Sequence, residues 1–447
     1  MNEKLFGTDG IRGIPGKHPL TREIIRSVAF SAMHRAKSGL AVIARDTRGS
    51  GPEIARWAAE GLASAGARVI DVGVAPTPAA AYLAPKLGAG CAVVVSASHN
   101  PPEFNGVKFF SAKGLKLDSA EEARVEREAE TARPAAGWKP AKTENGEKFL
   151  EDYADFILST VPSDLNLAGM RIVLDCANGA ASAVAPEVLR RLGAEVSTIG
   201  CSPDGGNINS GCGALFTRPM LEETLRLKAD CGLSLDGDAD RVLFGDETGK
   251  LLDGDDLIFL AALELKSAGR LKWDRVVLTV MSNWGLISRL REEGITAALV
   301  PVGDKHVTDA LEKENLSLGG ESSGHIIFRE FFPTGDGLLT AAQILSLMKR
   351  SGKPLSFFRK RWLRYPQSLT AVPVKEKIAL EKIPGFAKML EDFGRELKGK
   401  GRVFVRYSGT EPKLRVLVEG PRAARVETIS KGIIAYYKKH AEGTLCR

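Results

Sequence analysis

The stretch Cys91-Ala-Val-Val-Val-Ser-Ala-Ser98-His99-Asn100-Pro101-Pro102 runs from apolar residues into hydroxyl, imidazole and amide side chains, and two prolines then stop it. A serine just past the carboxyl end of a strand, in a proline-stiffened loop, is placed to act as a nucleophile. A serine in such a loop can equally do no more than satisfy turn backbone groups. Leu235-Asp236-Gly237-Asp238-Ala239-Asp240-Arg241 sets three carboxylates at alternate positions. They can converge on one hard cation if the loop curls, and without one they would repel each other strongly. Asp236, Asp238, Asp240 and Glu247 also match positions 1, 3, 5 and 12 of an EF-hand. That reading fails because Arg241 stands where the EF-hand turn requires glycine, and because Cys231–Leu235 and 242–244 read as strands. A solvated acidic turn is the remaining alternative to a cation site. Arg241 beside the carboxylates suits a ligand with several negative charges, such as a phosphoryl group.

A third stretch, Gly319-Gly320-Glu321-Ser322-Ser323-Gly324-His325, offers a carboxylate and two hydroxyls between glycines. It would suit sugar hydroxyls, or it is an ordinary glycine-rich turn. Two more segments read as anion sites or capped turns. One is Phe6-Gly7-Thr8-Asp9-Gly10-Ile11-Arg12-Gly13. The other is Arg406-Tyr407-Ser408-Gly409-Thr410-Glu411-Pro412, followed by Arg415. There, Ser408, Thr410 and the N–H groups around Gly409 could form a nest for phosphate, with guanidinium forks from the two arginines.

Three similar stretches must position these loops. Each passes from an apolar run through a polar loop and a helical pattern into a second apolar run. The first runs from Ala41-Val42-Ile43-Ala44 to Arg68-Val69-Ile70-Asp71, and the second from Arg171-Ile172-Val173-Leu174 to Glu195-Val196-Ser197. The third runs from Arg275-Val276-Val277-Leu278 to Ala298-Leu299-Val300. The offset is 23–27 residues in each. Such alternation reads as βαβ units, hence three α/β domains. Residues 131–147 are polar and rich in proline and glycine, and read as a linker. After about residue 366, strand-like and helical runs alternate in a smaller α+β pattern.

The chain has 447 residues, room for about three or four domains. Its net charge of +7 arises from lysines and arginines interspersed with acids. There is no basic tail or basic–aromatic block, which argues against nucleic acid as partner and favours a locally positive cleft for a small anion. The six cysteines form no C-x-x-C pair, which fits reduced thiols in a cytoplasmic protein. No apolar run approaches the roughly 20 residues of a membrane span.

In this order the four motifs resemble the α-D-phosphohexomutase superfamily over essentially the whole chain. Within it the chain is most similar to the bacterial phosphoglucosamine mutases. The residues carrying that likeness are Phe6-Gly-Thr-Asp-Gly-Ile-Arg-Gly, Asp175-Cys-Ala-Asn-Gly-Ala, Asn207-Ile-Asn, Cys212-Gly213, and Arg406-x-Ser-Gly-Thr-Glu-Pro with Val418-Glu419-Gly420. Three places depart from the pattern: Ser322 where glutamine is usual, Ala239 where glycine is common, and Ala214-Leu215.

The resemblance implies three related α/β domains with mixed sheets and a C-terminal α+β domain like the TATA-binding-protein fold. The boundaries are expected at 1–150, 151–250, 251–365 and 366–447, with one loop from each domain meeting in a cleft. Ser98 would be the phosphoserine. Asp236, Asp238 and Asp240, with a phosphoryl oxygen on Ser98, would hold one Mg²⁺. Arg12, Lys108, Arg241 and His325 would line the reacting end, with Lys108 and His325 as acid/base candidates. Glu321 and Ser323 would bind sugar hydroxyls, and Arg406, Ser408, Gly409, Thr410 and Arg415 the phosphate that is not reacting. The implied reaction interconverts glucosamine 6-phosphate and glucosamine 1-phosphate through a 1,6-bisphosphate, feeding UDP-N-acetylglucosamine and cell-wall synthesis. Glucose or glucosamine 1,6-bisphosphate would serve as activator. A phosphomannomutase/phosphoglucomutase with the same chemistry is the alternative, and a silent sugar-phosphate sensor is another class. The chain would act in the cytoplasm on a phosphosugar, away from nucleic acid and membrane, with a homodimer compatible with it.

Overall fold

The structure is a computed structural model that describes residues 4–7, 9–34, 36–132, 134, 137–408 and 412–444. The chain falls into two units, one of Met1–Val280 with Ala298–Arg359, the other of Met281–Ala297 with Lys360–Arg447.

Three mixed sheets are built on one plan. The first runs, edge to edge, Ile11–Gly13, Asn105–Ser111, Cys91–Val95, Leu40–Arg45, Arg68–Val74 and Thr143–Asn145. The second runs Leu251–Leu252, Val242–Asp246, Cys231–Leu235, Arg171–Asp175 and Glu195–Ile199. The third runs Thr296–Val300, Arg275–Thr279, Leu318–Gly320 and Ile326–Phe328. The first two hold the expected parallel pairs, Leu40–Arg45 beside Arg68–Val74 and Arg171–Asp175 beside Glu195–Ile199. In every sheet the first strand of the βαβ unit also pairs in parallel with a later strand, which then turns back into an antiparallel neighbour. Those three turns carry Ser98, the aspartate trio and Glu321. The same step of the same topology therefore delivers all three chemical loops.

Burial explains why these strands were legible. Cys91–Val95 and Cys231–Leu235 are buried at every position, as central strands covered on both faces must be. Around the first sheet, Ile25, Val28, Ile54 and Leu62 from two helices pack against Ile43, Val93 and Phe109 from its strands. One expectation needs correcting. The stretch read as a linker contributes Thr143–Asn145, which pairs in parallel with Val69–Asp71 at the sheet edge. All three of its residues are exposed, so no apolar pattern announced it.

The second unit holds an antiparallel sheet of Gln367–Pro373, Lys413–Glu419 and Arg402–Tyr407. The helices Phe386–Glu396 and Ala423–Thr444 cover it through Phe386, Ile429, Ile433 and Tyr437. Among the described residues no helix is long and apolar enough to cross a membrane.

Candidate active site

Ser98 sits where the first sheet's turn begins, fully buried and with a left-handed φ of 52°. A non-glycine residue there is strained by roughly 1–3 kcal/mol, so its surroundings must hold it. Arg48 does most of this. Its side chain is buried and paired with Asp46 at 2.9 Å. Its guanidinium donates to the carbonyls of Ser98 (3.0 Å), Asn100 (2.8 Å) and Phe104 (2.8 Å), and also to Pro101. The Asn209 amide donates to the Ser98 and Asn100 carbonyls at 2.9 and 3.0 Å. Gly237 packs on the same carbonyl so closely that a Cβ there would lie 2.5 Å from it. Gly237 is in turn backed by Ala180, whose N–H donates to the Gly237 carbonyl at 2.8 Å.

The Ser98 hydroxyl donates to Asp236 Oδ2 at 2.7 Å and lies 3.2 Å from His99 Nδ1. Asp236, Asp238 and Asp240 each offer an oxygen within 4.8 Å of the others, and all three are buried. Asp238 Oδ1 and Asp240 Oδ1 make no hydrogen bond. Three crowded, buried, all-oxygen donors with unused lone pairs fit a hard divalent cation. Burial first, then the charges of Asp240 and Asp238, push the Asp236 carboxyl well above its ordinary range. Asp240 goes the other way: burial would raise it, but Lys108 and His325 together hold it well below.

Lys108 is buried and reaches Asp238 Oδ2 at 2.7 Å, Asp9 Oδ2 at 2.9 Å and Asp240 Oδ2 at 3.6 Å. Burial would lower its pKa, but Asp238 and Asp9 override that and raise it. The group is therefore held toward its ammonium form beside three carboxylates. His325 Nδ1 lies 3.7 Å from Asp240 Oδ2. Burial lowers its pKa, and the Asp240 carboxylate more than reverses this, so the imidazole is biased toward its charged form. His99 is pushed down to about 4 by burial and by Arg241 and Arg12, and stays neutral.

A cavity of about 530 Å³ opens beside these groups, with Arg12, His99, Asp240, Arg241, Glu321 and His325 on its wall. Glu321 is buried, and its Oε1 accepts the Gly303 N–H at 3.0 Å. Ser323 Oγ is buried without a hydrogen bond. Lys116 joins two parts of the wall, bridging Asp9 at 2.5 Å to Asp304. The expected small-anion cleft is thus lined by both signs of charge.

In the second unit, Arg406 and Arg415 stand directly opposite each other across two antiparallel strands. Two guanidiniums so placed can present forked donors to one multiply charged anion. Ser408 is buried, and its N–H donates to the Lys413 carbonyl at 2.8 Å. The expectations for Gly409 and Thr410 lie outside the described residues.

The first unit thus brings together Ser98, the three aspartates, Lys108, Arg241 and His325, with Arg12 and Glu321 on the same cavity. Sequence reasoning missed Arg48, Thr77, Lys116, Asn209 and Asp304. Thr77 donates to Asp238 Oδ2 at 2.6 Å. Asp9 was inside a quoted motif but given no part. Asn209 also sits in a quoted motif, and a polar Arg48 soon after the apolar run Ala41–Ala44 was the available signal for the other.

The chain matches known proteins over nearly its whole length. Residues 3–136, 151–249 and 253–365 match the phosphoglucomutase/phosphomannomutase alpha/beta/alpha domains I, II and III, and 369–435 match the C-terminal domain. A phosphoglucosamine mutase of Desulforamulus reducens is 43% identical over 435 residues, covering 95% of this chain and 97% of that protein. A phosphoglucomutase/phosphomannomutase family protein of Burkholderia thailandensis superposes with a TM-score of 0.81 at 24% identity, covering 99% of each chain. The Aspergillus fumigatus N-acetylphosphoglucosamine mutase, solved with GlcNAc-6P and magnesium, superposes at 0.69 and 18% identity, covering 98% of this chain and 96% of that one.

Proposed function

The chain belongs to the phosphoglucomutase/phosphomannomutase family, and from that premise we propose that it is a cytoplasmic mutase interconverting glucosamine 6-phosphate and glucosamine 1-phosphate. The single observation that carries the reading is the buried Ser98 hydroxyl aimed at Asp236 of the carboxylate trio. Ser98 carries the phosphoryl group between turnovers. The C1 hydroxyl of the 6-phosphate attacks that phosphorus as the bond to Ser98 Oγ breaks, giving the 1,6-bisphosphate. Turned over in the cleft, the bisphosphate returns its 6-phosphoryl group to Ser98. Glucose or glucosamine 1,6-bisphosphate primes the serine.

Asp236, Asp238 and Asp240 would hold Mg²⁺, their all-oxygen donor set and unused lone pairs supporting that choice. The ion would neutralise charge developing on the transferring group. Lys108, held toward its ammonium form, adds positive charge, and the Arg12 and Arg241 guanidiniums supply forked donors to phosphoryl oxygens. His325 is the group left to move the proton of the attacking or leaving oxygen. Glu321 and Ser323 orient sugar hydroxyls. Arg406, Ser408, Gly409, Thr410 and Arg415 hold the non-reacting phosphate.

Two measurements test this. Mass spectrometry should find phosphate on the Ser98 peptide, and Ser98→Ala should abolish isomerisation. A panel of glucosamine, glucose and mannose phosphates with a bisphosphate activator tests the sugar. Faster turnover of glucose or mannose phosphate would replace the amino sugar; the sugar loop departs from the amino-sugar pattern at Ser322. An active Ser98→Ala variant would end the mechanism.

A further inference from the structure

The carboxyl ends of two parallel strands in the second sheet, Arg171–Asp175 and Glu195–Ile199, each run directly into a cysteine-bearing turn. The Cys176 N–H donates to the Ile199 carbonyl at 3.3 Å, and the Asn178 N–H to the Gly200 carbonyl at 2.5 Å, so Cys176 emerges beside Gly200, one residue before Cys201. Each thiol is the largest influence on the other's proton affinity, and the Cys176 thiol donates to the Ala181 carbonyl at 3.8 Å. Neighbouring strands lie about 4.8 Å apart, inside the span a disulfide bridges. Cys201 is half-buried and reachable by a small solute, whereas Cys176 is fully buried.

We propose that Cys176 and Cys201 form a peroxide-oxidisable dithiol, a modification site mechanically coupled to the Ser98 loop. The chemistry is a two-electron oxidation. The Cys201 thiolate attacks one oxygen of hydrogen peroxide, the O–O bond breaks, and the departing hydroxide takes a proton to become water. Cys201 is left as a sulfenic acid. The Cys176 sulfur then bonds to it as the S–O bond breaks, and the Cys176 proton leaves with that oxygen as a second water. The thiols differ in the way this order requires. The Cys176 thiol, helped by Arg190, lowers Cys201 below the ordinary thiol range against the effect of burial. Burial instead pushes Cys91 up to about 12 and Cys212 up to about 11.

The coupling runs through backbone. Ala177 and Asn178, directly after Cys176, both have left-handed φ, at 55° and 48°. The Ala177 carbonyl accepts the Asn209 N–H at 2.9 Å, and the Asn209 amide holds the Ser98 carbonyl. Two residues on, the Ala180 N–H holds the Gly237 carbonyl. Drawing Cys176 toward Cys201 therefore pulls on both loops that meet at Ser98.

The test uses the full-length reduced protein, hydrogen peroxide, N-ethylmaleimide blocking and peptide mapping. The expected product is a Cys176–Cys201 cross-linked peptide, accompanied by a loss of turnover of about fivefold or more that dithiothreitol reverses. Cys201→Ser should keep wild-type turnover and resist peroxide. Cys176→Ser should stop at a dimedone-reactive Cys201. No cross-link, a Cys201–Cys212 cross-link instead, or a cross-linked enzyme with undiminished turnover would overturn the proposal. The peptide map reads the cross-link whatever sugar the enzyme prefers.

Discussion

Replacing Gly237 by alanine perturbs one of the contacts that set Ser98 while leaving every side chain of the site chemically unchanged. Gly237 does not have a left-handed φ, so alanine fits its backbone and only the added methyl matters. That methyl would stand 2.5 Å from the Ser98 carbonyl oxygen, 2.8 Å from Asn209 Nδ2 and 3.0 Å from Ile208 Cδ1. Restoring a tolerable distance of about 3.0–3.4 Å requires the Ser98 carbonyl to move by about 0.5–0.9 Å, and misplacement near 1 Å costs about 10²-fold in rate. Overpacking of this kind costs about 1–3 kcal/mol of stability. The expected result is a folded protein whose kcat falls about 10–100-fold. The assay is glucosamine 1-phosphate formation with a bisphosphate activator, beside a urea titration. Gly39→Ala, with nothing within 4 Å of its added methyl, is the control and should behave as wild type. Turnover within about twofold of wild type, at an unchanged urea midpoint, would refute the idea that backbone contact positions Ser98.

Asp238→Asn should weaken Mg²⁺ binding by calorimetry about tenfold or more, a factor of ten being about 1.4 kcal/mol; Lys108 keeps Asp9 as its partner. Asp336 is pushed up to about 6, mainly by burial, so its contribution to stability is complete below the unfolded value of 3.8 and lost as pH rises through about 6. Asp336→Asn should flatten that part of the urea-midpoint profile while still capping the helix Gly337–Ser351. Lys116→Met takes the cation from Asp304 while Asp9 keeps Lys108 and Arg12, and should lower stability by about 1–3 kcal/mol, read from urea denaturation. Ala239 has a left-handed φ of 59°, so Ala239→Gly should raise the urea midpoint by the equivalent of about 1 kcal/mol.

The three mixed sheets were legible because their central strands are buried on both faces and read as unbroken apolar runs, Cys91–Val95 and Cys231–Leu235 among them. The chemical loops were legible because their residue types are rare in that company. The networks behind them were not. Lys108 meets Asp238 across 130 positions, and Lys116 meets Asp304 across 188, so no local pattern pairs them. Only the fold reveals that Lys108 faces three carboxylates. The left-handed backbone of Ser98 left no trace either, because it is imposed by Arg48, Asn209 and Gly237 from outside the loop.

The contact of Ser98 with Gly237, and of Gly237 with Ala180, is made by main-chain atoms. Main-chain atoms cannot be exchanged by substitution, so a designer or a drifting lineage has no gradual route for retuning this half of the machine. Libraries aimed at new sugars should leave residues 98, 179–180, 209 and 236–240 alone and draw their diversity from the loop that sets Glu321 on the cavity wall, at Ser322 and Ser323. There the Ser323 hydroxyl is uncommitted and the Ser322 carbonyl already has its donor in Gly254. The division between a frozen wall and an adjustable one is how one scaffold can be adapted to different sugars while its phosphoryl chemistry stays constant.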